Sequence, residues 1–120
     1  MKRPTPCNSE LKLLRILWET EGRKSSELVA ICEEKFGWKK STTYTQLRRL
    51  CEKGYACNEN TIVRALVTQE AVLRNESAQI IERTFSGSLP SFLTAFFDAR
   101  DRLTEEEAEE LRRIIDNYTE

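Results

Sequence analysis

The chain has 120 residues, of which 39% are hydrophobic and 32% charged, and it contains no histidine. This length suits one domain or two small ones, and the composition is that of an ordered, helix-rich protein. Without histidine, His-dependent acid–base catalysis and His-ligated metal sites are excluded, and no other arrangement of side chains indicates an enzyme.

Charge is distributed unevenly along the chain. Residues 1–69 carry 13 Lys and Arg against 8 Asp and Glu, whereas residues 70–120 carry 6 against 12. This asymmetry is typical of a basic module that binds a polyanion, joined to an acidic module with another role. We therefore predict a DNA-binding domain over 1–69 and a C-terminal helical domain over 70–120.

Three short amphipathic helices are predicted in the basic half. Each begins at a serine or threonine that can cap a helix and ends before a glycine that can terminate one. The predicted caps and terminators are Ser9 and Gly22, Ser25 or Ser26 and Gly37, and Ser41 or Thr42 and Gly54.

A hairpin is predicted to follow the third helix. Residues 61–67 are rich in β-branched side chains, and Asn58 to Asn60 suits a turn. Three short helices followed by a two-stranded hairpin is the order of a winged helix-turn-helix domain. The predicted fold class is therefore mainly α, with the hairpin as the wing and a helical region after it.

The acidic half is predicted to form three more helices. A fourth begins near Gln69, a fifth is capped by Ser88, and a sixth is opened by a capping box from Thr104 to Glu107. The fifth and sixth carry dense apolar stripes with too little chain to cover them, which is typical of a helix–helix dimer interface. The predicted interface residues are Phe92, Phe96, Phe97, Leu111, Ile115 and Tyr118.

The third helix is the candidate DNA-reading element. Its apolar residues cluster on one side, and hydroxyls and guanidiniums lie opposite, the groups that a helix in a major groove uses. We predict phosphate contacts from Lys39, Lys40, Arg48 and Lys53, base or orienting contacts from Thr42, Thr45 and Arg49, and a wing contact from Arg64. The alternative is a solvated, mildly basic helix face, which the outward Glu52 favours.

The sequence is also compatible with other functions. A winged helix can bind an acidic protein instead of DNA, and the four cysteines could serve a thiol- or metal-responsive regulator. Their spacing contains no Cys-x-x-Cys, and Cys32 and Cys51 fall on apolar helix sides, which favours packing. We predict no cofactor and no metal, no membrane segment, no leader peptide after Lys2 and Arg3, and a cytoplasmic protein.

Several short motifs occur in a fixed order between about residues 10 and 117. They are Leu17-Trp18, Ser25 to Leu28, Trp38, Thr42 and Thr45, Arg49-Leu50, Lys53-Gly54, and Gly87-Ser88 followed by a Phe-rich segment. Together they resemble the penicillinase and methicillin-resistance repressor family (BlaI/MecI/CopY-like). No single motif is diagnostic, so the resemblance rests on their order and spacing.

This resemblance implies a homodimeric transcriptional repressor bound to a palindromic double-stranded operator. The N-terminal winged helices would enter the major grooves, and the C-terminal helices would intertwine. By position, Ser41, Thr42, Thr45 and Arg49 match the family's DNA contacts. Tyr44 stands where the antibiotic-resistance members carry a basic residue, and it either contacts the DNA backbone or packs.

The resemblance also implies an induction mechanism. Such repressors are inactivated by a sensor protease that cuts in the C-terminal region before a phenylalanine, by position the Ala95–Phe96 bond. The resistance repressors have asparagine before that bond, so Ala95 departs from their pattern. The copper-responsive branch has a C-terminal cysteine cluster, whereas no cysteine follows Cys57 here.

Overall fold

A computed structural model describes residues 4–100 and 102–120, so Lys2 and Arg3 lie outside the described residues. The described elements follow the order of a winged helix-turn-helix domain extended by three helices, which confirms the predicted mainly α fold class. In chain order they are α1 (Asn8–Trp18), β1 (Arg23–Lys24), α2 (Ser25–Phe36), α3 (Lys40–Lys53), β2 (Ala56–Glu59), β3 (Ile62–Ala65), α4 (Gln69–Phe85), α5 (Leu89–Asp98) and α6 (Glu105–Tyr118).

The caps of the first three helices lie one to three residues earlier than predicted, so the caps assigned to Ser9, Ser25 or Ser26, and Ser41 or Thr42 were wrong. The flanking residues are instead Cys7, Lys24 and Lys39. In α1 the Glu10 carboxylate accepts the backbone N–H of Cys7 at 3.1 Å, which satisfies a donor before the helix begins. In α2 the Ser25 backbone N–H donates to the Thr61 carbonyl at 2.8 Å, so tertiary pairing fixes that start.

The wing is a three-stranded antiparallel sheet in the order β1-β3-β2. Strand β1 was not predicted, because its two residues are Arg and Lys and it exists only by pairing with β3. Glu59 pairs with Ile62, which places the turn at Asn60 and Thr61 and not at the predicted 58–60. Both turn residues have positive φ, 53° and 66°, the signature of the tight turn that matches strand twist.

The chain divides into two compact units, Met1–Glu76 and Ser77–Glu120, with the division inside α4. The first unit has one continuous core of apolar side chains from the helices and strands. Its members are Leu13, Leu14, Ile16, Leu17, Leu28, Cys32, Leu47, Leu50, Tyr55, Ala56, Val63 and Val72. Trp18 and Trp38 pack against this core, and the Trp18 indole N–H donates to the Val67 carbonyl at 2.9 Å.

The second unit is helical throughout but has no comparable core. Ser88 caps α5, and Thr104 and Glu107 form the predicted capping box of α6, so both predicted starts are confirmed. No side chain described between 77 and 120 is buried. In the parts of the chain that the structure describes, no helix is both long enough and apolar enough to cross a membrane.

Candidate nucleic-acid interface

Helix α3 has one buried side and one open side. Thr43, Leu47 and Leu50 are at most 3% exposed and fix the helix against the core. The opposite side is polar and open to solvent along the whole helix. This division matches the helical periodicity of the sequence and leaves a complete face of α3 available to bind another molecule.

The N-terminus of α3 is basic and lacks a capping side chain. It begins with Lys39 and Lys40, and neither a side-chain cap nor an acidic residue lies in its first turn. The other helices of the described residues each have one or the other, namely Glu10, Glu27, Glu70, Ser88 and Thr104. Two lysine charges beside the positive end of a helix dipole are unfavourable. A phosphate placed there would be attracted both by the lysines and by the dipole.

The predicted contact residues of α3 lie together on the open side. Ser41, Tyr44, Arg48 and Arg49 are exposed, and Thr42 and Thr45 are half-buried at the edges. The Lys40 ammonium lies 5.9 Å from the centre of the Tyr44 ring, a cation–π contact. The structure therefore brings hydroxyls, an aromatic ring and several cations onto one surface.

Two of these side chains already have partners on the helix itself. The Thr45 hydroxyl donates to the Ser41 carbonyl at 2.9 Å, which turns the Thr45 methyl away from that carbonyl and fixes the rotamer. Arg48 lies 3.8 Å from Glu52, an exposed pair of little energetic weight. Among the residues that the structure describes, no carboxylate pairs with Arg49, so its guanidinium is open to a new acceptor.

Lys53 is a predicted phosphate contact that already has a partner in the protein. Its ammonium lies 2.7 and 2.9 Å from the two carboxylate oxygens of Glu10. It also donates to the Thr5 carbonyl at 3.2 Å. To reach a phosphate, Lys53 would have to leave a buried carboxylate without its charge partner, so its predicted phosphate contact competes with Glu10.

Arg64 lies in another environment from the residues of α3. It is exposed on β3, where its side chain passes close to Gly22. Glu19, Glu21 and Glu70 line the same surface depression. These carboxylates compete with a phosphate for the guanidinium, so its predicted contact from the wing is the weakest member of the set.

Gln46 is the residue of α3 that sequence reasoning left without a role. It is half-buried, and its side-chain oxygen is shielded from solvent without a hydrogen-bond partner among the described residues. The position of Gln46 between the apolar and polar sides was visible in the sequence. The unpaired oxygen was not visible, because it depends on packing against other elements.

The cysteines lie mainly in packing positions. Cys32 is buried in the core, Cys51 and Cys57 are half-buried, and Cys7 is exposed. Burial raises the pKa of both the Cys32 and the Cys51 thiol, and the nearby Cys57 and Glu52 raise that of Cys51 further. A raised pKa leaves less of the reactive thiolate at neutral pH, so these two thiols are poorly suited to redox sensing.

The predicted dimer residues lie on an open apolar surface of the second unit. Phe96, Ile115 and Tyr118 are 47%, 57% and 88% exposed. Phe92, Phe97 and Leu111 are half-buried and line a groove of about 260 Å³ between α5 and α6.

Aromatic contacts join α4 to α5, and an ion pair joins the segment after α5 to α6. Phe92 lies between Phe85 at 5.4 Å and Phe96 at 6.2 Å. The Arg100 guanidinium lies 5.7 Å from the Phe96 ring and 3.3 Å from Glu107. Glu107 has its pKa lowered by the Thr104 backbone N–H and by the Arg100 charge.

The bond predicted for proteolysis lies inside a helix. Ala95 and Phe96 are the seventh and eighth residues of α5, which runs from Leu89 to Asp98. Proteases bind their substrates in extended form, so a protease could cut this bond only after α5 had opened locally. The side chains of both residues are exposed, but the helical backbone must still open before a protease can bind it.

Comparison with known proteins identifies relatives along almost the whole chain. A family model described as penicillinase repressor matches residues 6–117. The penicillinase repressor of Bacillus licheniformis is 25% identical over 122 residues, covering 98% of this chain and 94% of the relative. The solution structure of the DNA-binding domain of the repressor BlaI has a TM-score of 0.49 at 19% identity, and the match covers 57% of this chain and 90% of that domain.

Proposed function

Because the chain belongs to the penicillinase repressor family, we propose that it is a transcriptional repressor that binds double-stranded operator DNA. The observation that supports this most directly is the open face of α3, where basic, hydroxyl and aromatic side chains lie beside an uncapped helix N-terminus. No enzymatic activity is part of this proposal.

Each part of the α3 surface has its own role in binding. Lys39 and Lys40, with the free amides of the first turn, bind a phosphate and set the depth of the helix in the groove. Arg48 binds a second phosphate after it leaves Glu52. Arg49 reads a base edge, since a guanidinium can form two hydrogen bonds with guanine.

The repressor acts as a homodimer in this proposal. An apolar surface made of α5 and α6 must be covered, and a second copy offers a surface of the same composition. A two-fold dimer presents two α3 helices to one palindromic operator, with half-sites about one helical turn apart or slightly more. We place this binding in the cytoplasm, and a sensor protease is one candidate for the inducing partner.

The direct test is selection of duplexes from a randomised pool with the full-length protein, followed by titration with salt. We expect a two-fold symmetric recovered sequence and a symmetric footprint. The logarithm of the affinity should fall linearly with the logarithm of salt concentration, because phosphate binding releases counterions. Failure to bind any duplex at low salt would contradict the proposal and favour an acidic protein partner.

Arg49→Ala tests the assignment of base reading. If Arg49 contacts a base, the variant should lose about 1–3 kcal/mol of binding free energy and accept other bases at one position of each half-site. Lys39→Ala is the matched control, since loss of a phosphate contact should weaken all sequences equally and lower the salt slope by about 1. Uniform weakening by Arg49→Ala would reassign that residue to phosphate.

A further inference from the structure

Glu10 is a buried charged residue of the first unit. It lies in the first turn of α1, and only 1% of its surface is exposed. Its carboxylate is held by the Lys53 ammonium at 2.7 and 2.9 Å and by the Cys7 backbone N–H at 3.1 Å. A buried carboxylate is tolerated only where donors surround it, so α1 and the last turn of α3 must keep this geometry.

Further contacts tie the N-terminal segment to the same end of α3. Lys53 also donates to the Thr5 carbonyl at 3.2 Å, and the buried Tyr55 side chain donates its hydroxyl to the Pro4 carbonyl at 2.8 Å. Tyr55 follows directly after the glycine that ends α3, and its backbone N–H donates to the Leu50 carbonyl at 2.9 Å. The end of α3 is therefore held by directional bonds on two sides.

The position of Lys53 around the axis of α3 connects these bonds to the residues that would contact DNA. At about 100° per residue, Lys53 lies about 20° from Thr42 and about 40° from Arg49 around the axis of α3. It thus lies on the edge of the reading face that is turned toward α1. A bond at this edge resists rotation of the whole face.

Apolar packing constrains this rotation through shape, without directional bonds. Leu47 and Leu50 hold α3 by contacts that have no preferred direction. A rotation of about 10° moves a point about 6 Å from the helix axis by about 1 Å. A shift of that size is enough to break a two-bond contact between a guanidinium and a base, whereas a phosphate contact tolerates it.

We propose that Glu10 and Lys53 are positioning residues that fix the rotation of α3 and thereby set the ability of the protein to discriminate between operator sequences. This inference rests on the proposed function. Neither residue touches DNA. Their ion pair acts through α3 on Arg49 and its neighbours, so it affects the choice of sequence and leaves the general attraction to phosphate unchanged.

The test replaces the ion pair by neutral groups of similar size in the full-length protein, with Glu10→Gln and Lys53→Met combined. Affinity is measured for the selected duplex and for the same duplex with its bases shuffled, over a range of salt concentrations. We expect the ratio of the two affinities to fall at least about tenfold, with little change for the shuffled duplex or in the salt slope. Lys53→Arg, made in the unmodified protein, keeps the ion pair with Glu10 and should leave the ratio of affinities unchanged.

Other results would overturn the inference. An unchanged ratio in a folded double variant would mean that the pair serves stability alone. An equal loss on both duplexes, with a salt slope lower by about 1, would mean that Lys53 binds phosphate. If the double variant does not unfold cooperatively, Glu10→Asp is measured instead. It keeps the charge but shortens the side chain, so the ratio of affinities for the selected and shuffled duplexes should again fall, and an unchanged ratio would overturn the inference. Absence of any sequence preference in the unmodified protein would instead contradict the proposed function itself.

Discussion

The two units of the chain differ in how they bury apolar side chains. The first unit encloses residues such as Leu13, Leu14 and Leu28, which are fully buried. The second unit has helices of ordinary length and well-formed caps, yet Phe96, Ile115 and Tyr118 remain exposed. Local signals are therefore sufficient to specify helices, whereas a core requires elements that can cover one another.

The two units also differ in how much apolar burial is available to stabilise their folded states. Burial of apolar surface is the main favourable term in folding and must offset the loss of chain entropy. The first unit achieves this within one chain. The second, with about 45 residues, is in the size range where small domains depend on oligomerisation or other supports.

Phe96→Glu should have the largest effect, since it places a charge in the proposed dimer interface that covers the apolar surface of the second unit. A two-fold dimer would bury two added charges, so we expect dimerisation to weaken by on the order of 5 kcal/mol. Sedimentation should show monomers, and operator binding should weaken with it. Leu66→Glu is the matched control, because Leu66 is also about half exposed, at 55%, but lies in the first unit. A dimeric Phe96→Glu protein would show that the interface lies elsewhere.

Leu14→Ala tests the core of the first unit. Leu14 is fully buried, so removal of its side chain should lower the free energy of unfolding by about 2–5 kcal/mol. Leu66→Ala, at an exposed position, should change it by less than about 0.5 kcal/mol. Urea unfolding of both variants measures the difference. Equal effects would mean that the buried core around Leu14 contributes no more to the stability of the first unit than an exposed position does.

Glu107→Gln should have the smallest effect and an effect that depends on pH. The folded-state pKa of Glu107 lies below its ordinary value of 4.5, so its contribution is present above that value. The contribution is lost as the pH falls through the lowered folded-state pKa. We expect the variant to be less helical than the parent protein at pH 7 and equal to it in strong acid, as measured by circular dichroism.

Glu106→Gln is the control for this measurement, because Glu107, and not its exposed neighbour Glu106, closes the capping box. The control should follow the parent protein at every pH. If both variants behaved alike, the acid dependence would come from general charge repulsion in α6 rather than from the Glu107 cap.

Periodicity and helix-breaking residues were enough to predict the order of the helices. Gly37, Gly54 and Ser88 lie where the structure ends or begins a helix, because these residues act on their own neighbours. The hairpin turn was placed too early, since its position depends on the pairing of Glu59 with Ile62. Strand β1 was missed for the same reason.

The candidate interface was predictable to a similar extent. The open face of α3 follows from helical spacing, which is a local property. The pairing of Lys53 was not predicted, because its partner, Glu10, lies 43 residues earlier in the chain. The sequence of α3 alone cannot predict a contact with a residue that is so distant in the chain.

The sequence by itself determined the helices, the open face of α3 and the apolar stripes of α5 and α6, because spacing, caps and glycines act over a few residues. Only the tertiary structure decided which side chains are enclosed, where the wing turns and which cation on α3 is already paired. Those outcomes depend on contacts between distant segments, and burial then sets whether a charge such as that of Glu10 needs a partner.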